Sequence, residues 1–248
     1  MAGTLRVLYV DDEPDLLDIC RIFLEDTGDF SVVTYDSAPV ALELLANEQF
    51  DAIISDYQMP GMDGIEFLKK VRGLGNTIPF ILFTGKGREE VVIEALNEGA
   101  DFYLQKGGDP EAQFAELTHK VRLAVSNKKA VGALKKSEEK YRQLIEHANE
   151  AIVVAQDGML KLVNQRAIEV TGYSEQELLS RPFSDIINPI DRAMVMERYQ
   201  KRLNGEELPN RYPFRVGSKE GSTCWVELSA VVIDWDGRPA TLNFLSDV

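Results

Sequence analysis

The sequence predicts two modules of different class: an open, doubly wound α/β domain on a five-stranded parallel sheet, then a smaller α+β domain with an antiparallel sheet. Three observations carry this prediction. Over residues 1 to 125, five short apolar runs rich in β-branched and aromatic residues alternate with five amphipathic stretches. From Glu150 onward, tight hairpin turns and longer strand patterns take over. Charge divides the same way: residues 1 to 125 carry 10 Lys and Arg against 23 Asp and Glu, net -13, whereas residues 126 to 248 carry 17 against 18, net -1.

In chain order, LRVLYV (5 to 10), FSVVTY (30 to 35), DAIIS (51 to 55), IPFILFT (78 to 84) and DFYLQ (101 to 105) have strand length and composition. Helical patterns near 14 to 26, 38 to 47, 64 to 72, 88 to 98 and 111 to 125 separate or follow them, which places helices on both faces of a parallel sheet. Lys86 and Arg88 in TGKGREE lack phosphate-loop spacing and read as a loop-to-helix start. A Lys/Glu-rich, proline-free stretch follows, in which Val131, Leu134, Tyr141, Ile145 and Ala148 share a heptad stripe interrupted by Glu138. It predicts a helical linker over 126–140, between a first domain at 1–125 and a second at 141–248.

In that second domain, AIVVAQDGMLKLVN (151 to 164) reads as a hairpin about Asp157-Gly158, and Ser174 to Glu177 as a capping box. A helix over 189 to 206 ends near Gly205; strands at 209 to 216, 222 to 234 and 239 to 246 follow, the last two turning at Asp236-Gly237. Trp225, Trp235, Phe183 and Phe244 are expected in the core.

Of the 248 residues, no apolar run approaches membrane-spanning length and no basic segment precedes a signal core, so a cytoplasmic protein without a membrane partner is expected. The acidic balance argues against a nucleic-acid surface, which needs clustered positive charge. Cys20 and Cys224 are read as reduced packing residues.

The chemistry gathers where predicted strands end. Strand one runs into Asp11-Asp12-Glu13, strand three into Asp56, strand four into Thr84 and strand five into Lys106. Neighbouring strands lie about 4.8 Å apart, so these groups can share one pocket at the carboxyl edge. Clustered carboxylates call for a divalent cation, and Mg²⁺ suits oxygen ligands while retaining water. Asp11, Asp12, Asp56 and the main-chain carbonyl of Gln58 are its candidate ligands. Asp56 is then a candidate nucleophile toward phosphorus, with Lys106 and the Thr84 hydroxyl as phosphate contacts.

Residues 4 to about 125 resemble the receiver domain of two-component response regulators through VLYVDDEPD, DAIISDYQMPGMDG, ILFTG and GADFYLQKG, four motifs in order. The resemblance implies that Asp56 is the phosphoacceptor, Thr84 the switch residue and Tyr103 the aromatic switch, and that a histidine kinase or phosphotransfer protein is the partner. Where that family usually has proline after the lysine, this chain has Gly107-Gly108, and looser lysine geometry is expected. An aspartyl phosphatase of the dehalogenase type is the alternative; those enzymes carry a second Asp where this chain has Gln58. A switch is therefore expected rather than an enzyme.

Residues from about 138 to 248 resemble a PAS sensor domain through YRQLIEHANEAIVVAQDGMLKLVNQRAIEVTGYSEQELLSR and WVELSAVVIDWDGRPATLNFLSDV, with Asn164, Gly172, Tyr173 and Glu177 fitting its local pattern. The resemblance implies dimerisation and signal transmission. His147 lies off the long helix and Cys224 lacks a flavin-adduct setting, so neither haem ligation nor adduct chemistry is expected; a signal-transmission module without a PAS ligand is the expectation, with a small ligand as the alternative. A homodimer through the linker helix or the PAS domain is expected. The chain is read as a two-domain relay or the N-terminal part of a larger hybrid sensor kinase.

Overall fold

The computed structural model describes residues 3–85, 89–209 and 211–247; the loop-to-helix start expected at Lys86 and Arg88 lies outside the described residues. The chain divides into two compact units, Met1–Leu134 and Lys135–Val248.

In the first unit β1 (Leu5–Val10), β2 (Phe30–Tyr35), β3 (Ala52–Ser55), β4 (Phe80–Thr84) and β5 (Phe102–Gln105) pair in parallel in the order β2-β1-β3-β4-β5. The helices are α1 (Pro14–Asp26), α2 (Ala38–Leu44), α3 (Gly64–Gly73), α4 (Glu89–Asn97) and α5 (Pro110–Glu146). Strand side chains alternate between two cores, as the period of two requires. Val7, Tyr9, Ile54, Ile81 and Phe83 pack with Cys20, Leu24, Leu117 and Val121 of α1 and α5. Leu8, Val10, Ile53, Phe80 and Leu82 pack with Ala41, Phe67 and Leu68 of α2 and α3. Burial on both faces is why these strands read as continuous apolar runs. The order reverses between β2-β1 and β1-β3, which opens a crevice beyond the carboxyl ends of β1 and β3.

The stretch over 126–140 is helical, as expected, and it continues the fifth helix without a break, so that α5 is a single 37-residue helix. Nothing past 125 forbids continuation: proline is absent, and Gly132 costs only about 1 kcal/mol relative to alanine. Phe114, Leu117, Val121, Ala124 and Val125 are buried in its first half, whereas Val131, Leu134, Tyr141 and Leu144 are exposed.

The second unit contains β6 (Ala151–Gln156), β7 (Met159–Val163), α6 (Gln165–Thr171), α7 (Glu175–Leu179), a 3-10 turn (Phe183–Asp185), α8 (Pro189–Leu203), β8 (Arg211–Gly217), β9 (Thr223–Trp235) and β10 (Arg238–Asp247). Its five strands form an antiparallel sheet in the order β7-β6-β10-β9-β8, so the last strand lies in the middle. Both two-residue turns pair a left-handed Asp with a Gly: Asp157 (φ 53) with Gly158 (φ 78), and Asp236 (φ 52) with Gly237 (φ 76). That is the type I′ geometry compatible with strand twist. Ser174 and Glu177 form the capping box reciprocally.

Asn164 is fully buried and uses its whole amide. Its Oδ1 accepts from the N–H groups of Ile152 and Ala167, and its Nδ2 donates to the carbonyls of Ile145 and Glu150. One side chain thereby joins the end of α5, the start of β6 and the start of α6.

Trp225 corrects the core assignment. On β9 it faces away from Val226, Leu228 and Ala230, stays 49% exposed, and lies under the Arg215 guanidinium. Alternation along a strand with one wet face overrides the burial tendency of a large ring. Phe183 does pack on the core, edge-on to Tyr199, while Trp235 and Phe244 are only half-buried.

Candidate functional site

The crevice beyond β1 and β3 is built by backbone pairing that continues one residue past the strands. The Asp11 N–H donates to the Tyr35 carbonyl, the Asp56 N–H to the Val10 carbonyl, and the Lys106 N–H to the Thr84 carbonyl. These bonds place three charged side chains at one edge. Lys106 Nζ lies 2.6 Å from Asp11 Oδ2 and 2.7 Å from Asp56 Oδ1, so a single ammonium bridges both carboxylates. Asp56 Oδ2 accepts from the Gln58 N–H at 2.5 Å, and Asp11 Oδ1 from the Glu13 N–H at 3.1 Å. Asp11 is fully buried and Asp56 is 6% exposed.

Burial pushes the Asp56 carboxyl above the usual carboxylate range; the hydrogen bond and charge of Lys106 pull the other way without cancelling it, and nearby Asp11 adds to the rise. For Lys106, burial works against the charge, but hydrogen bonds and attraction from Asp11 and Asp56 prevail and raise its pKa. Gly107, at φ 141, follows that lysine in a conformation closed to proline, whose ring holds φ near −65°. The Lys106 ammonium itself makes two short ion pairs, to Asp11 and Asp56.

The remaining candidates are placed as follows. Thr84 ends β4 almost fully buried, opposite Gln105 of β5. Tyr103 is half-buried against the α2/α3 core, and its hydroxyl is buried without a hydrogen-bond partner among the described residues. Burial and the neighbouring Asp56 raise its pKa. Asp12 is exposed and lines a shallow polar pocket with Tyr57, Gln58, Met59, Pro60 and Asp63. The structure thus joins Asp11, Asp56 and Lys106 directly, with Asp12 and Gln58 together on the solvent side. Among the described residues, no three His, Cys, Asp or Glu side chains are grouped as a metal cluster.

A hard cation nonetheless fits the donor chemistry. Asp11 and Asp56 offer oxygens only, and two buried carboxylates share one ammonium, which leaves negative charge in excess. Asp12 adds to that excess beside the pocket.

Two contributors escaped the sequence reading. The Tyr9 hydroxyl donates to Asp11 Oδ2, although its position in LRVLYV signals only a core strand residue. Gly64, buried at the start of α3, lies so close to the Asp56 carbonyl that an added Cβ would stand 2.2 Å from that oxygen. The glycine of PGMDG was the available sign of that approach.

In the second unit, a partly open cavity of about 100 Å³ is lined mainly by apolar side chains, among them Val153, Leu160, Phe183 and Phe214, with Tyr199 and Asn243 at its wall.

Comparison with known proteins places both units. The family model for the response regulator receiver domain matches residues 7–122, and the model for the PAS fold matches residues 161–243. An uncharacterised 14.6 kDa protein of Leptolyngbya boryana is 43% identical over 108 residues, 43% of this chain and 82% of that protein. The response regulator SaeR of Staphylococcus epidermidis is 39% identical over 105 residues, 42% of this chain and 45% of SaeR. The alignment therefore spans less than half of that relative. Among solved structures, the chemotaxis response regulator CheY4 of Vibrio cholerae is 31% identical with a TM-score of 0.44, covering 48% of this chain and 99% of that one. The PAS domain of an HTR-like protein from Haloarcula marismortui is 26% identical with a TM-score of 0.42, covering 49% and 99%.

Proposed function

Because the chain belongs to the response regulator receiver domain family over residues 7–122 and continues into a PAS fold over 161–243, we propose that it is a phosphorelay switch whose phosphoacceptor is Asp56. The observation that carries this reading is the Lys106 ammonium bridging Asp11 and Asp56 at the carboxyl edge of the sheet.

A carboxylate oxygen of Asp56 attacks the donor's phosphorus; the phosphorus bond to the leaving group breaks, and that group departs with the electron pair. The product is an acyl phosphate on Asp56. Lys106, already within 2.7 Å, supplies a positive charge for a phosphoryl oxygen, and the Gln58 N–H and Thr84 hydroxyl supply donors. Asp11, Asp12, Asp56 and the Gln58 carbonyl would hold Mg²⁺, which neutralises phosphoryl charge during transfer. With Gln58 two residues after the nucleophile, no acid there assists hydrolysis, which favours a persistent signal over enzymatic turnover.

The donor in this reading is a histidine kinase or phosphotransfer protein. The phosphoryl group adds about -1.5 to -2 charges at one point. Thr84 and Tyr103 respond, the surface of α4, β5 and α5 shifts, and α5 carries the change toward the PAS unit. The exposed Val131, Leu134, Tyr141 and Leu144 support pairing of two copies along this helix.

The test is incubation with a small acyl phosphate and Mg²⁺, followed by intact-mass measurement. One phosphoryl group should be gained by the parent and none by Asp56→Asn, with chelator suppressing the gain. Equal labelling of Asp56→Asn would remove the assignment.

A further inference from the structure

We infer that Tyr9 is a positioning residue for Asp11, holding that carboxylate in the orientation in which it serves a bound cation; this rests on the metal reading above. Tyr9 is fully buried in the core between β1 and helices α1 and α5, and its ring packs as an ordinary strand residue. Its hydroxyl is not ordinary, because it reaches along its own strand to Asp11 Oδ2. That same oxygen accepts from Lys106 Nζ, while Oδ1 accepts from the Glu13 N–H.

Three donors therefore hold one buried carboxylate. Two have other reasons to be there: Lys106 is shared with Asp56, and the Glu13 N–H belongs to the entry of α1. Among the described residues the Tyr9 hydroxyl, like the Glu13 N–H, donates to Asp11 and not to Asp56, and it is the donor of the three that comes from the β1 core. The phenol comes from the packed core around β1, whereas Lys106 also reaches Asp56 at the sheet edge; both donate to Oδ2 of Asp11. It is the arrangement by which groups behind a metal ligand fix its orientation, and losing such a partner typically weakens metal affinity about 10- to 100-fold.

Cys20 of α1 supplies the control. It is fully buried in the same core, and among the described residues no hydrogen bond from its thiol to Asp11 is seen. Trimming it disturbs the packing around Tyr9 and leaves the phenol donor in place.

The experiment is calorimetric titration of the full chain with Mg²⁺, without phosphodonor. Tyr9→Phe, which keeps the ring, should raise the Kd about tenfold, while Cys20→Ala should bind like the parent. Unchanged or tighter binding by Tyr9→Phe overturns the inference, as does equal weakening by Cys20→Ala, which would make packing the cause. Absence of Mg²⁺ binding by the parent overturns both this inference and the metal reading, so the two failures are distinguishable. A second measurement does not need the Tyr9 variant to fold. Mg²⁺ should perturb the near-ultraviolet tyrosine spectrum of a chain carrying Tyr35→Phe, Tyr57→Phe and Tyr103→Phe, and no perturbation there counts against Tyr9.

Discussion

At the scale of single residues, the site holds a carboxylate in a place that disfavours its charge. Burial raises the Asp56 pKa more than Lys106 and the Gln58 N–H lower it. A raised folded pKa means that the stabilising contribution of Asp56 is present below the unfolded value of about 3.9 and lost as pH rises through the folded value. At neutral pH the ionised group therefore costs stability. Asparagine is neutral like the protonated acid and keeps a carbonyl acceptor, so Asp56→Asn should melt higher than the parent at pH 7 in chelator, with the gap closing below about pH 4. Melting curves across that range check the sign; a gap that widens on acidification contradicts it. The reactive position thus trades stability for a nucleophile that is ready when its countercharges arrive.

Among elements, the contact between α3 and β3 decides how well that nucleophile is held. At Gly64 an added Cβ would meet the Asp56 carbonyl oxygen at 2.2 Å and Leu82 Cδ1 at 2.7 Å, whereas at Gly73, ending the same helix, it would meet nothing within 4 Å. Gly64→Ala must push α3 off the strand end, and overpacking of this kind costs about 1–3 kcal/mol. Thermal melting should show that loss and mass measurement a slower phosphoryl gain. Gly73→Ala should leave both near the parent. The capping of α3 by Asp63, which accepts from the Ile65 and Glu66 N–H groups, is a local device visible in DGIE. The demand on Gly64 is tertiary, since it arises from an oxygen eight residues earlier.

For the whole molecule, the two units close separate hydrophobic cores, and the acidity lies almost wholly in residues 1 to 125. Two calorimetric transitions are expected. Mg²⁺ binding to the native first unit should raise one of them by mass action and leave the other in place. A single transition, or equal movement of both, would contradict this.

The sequence by itself determined the order and class of the elements, because periodicity and turn chemistry are local. Five apolar runs became the parallel sheet, Asp157-Gly158 and Asp236-Gly237 became type I′ turns, and Ser174 with Glu177 became a capping box. It also brought Asp11, Asp56 and Lys106 into one hypothesis, since strand ends in a parallel sheet share an edge. Only the tertiary structure decided which atoms meet. It set the bridging of both carboxylates by Lys106, the Tyr9 hydroxyl on Asp11, the near-contact of Gly64 with Asp56, the outward face of Trp225 and the unbroken run of α5. The Lys106 bridge and the Gly64 approach depend on distances across the fold that no local pattern encodes. The face of Trp225 and the run of α5, by contrast, follow from alternation and from the lack of a helix breaker once the packing shows which face is wet and where the helix is needed.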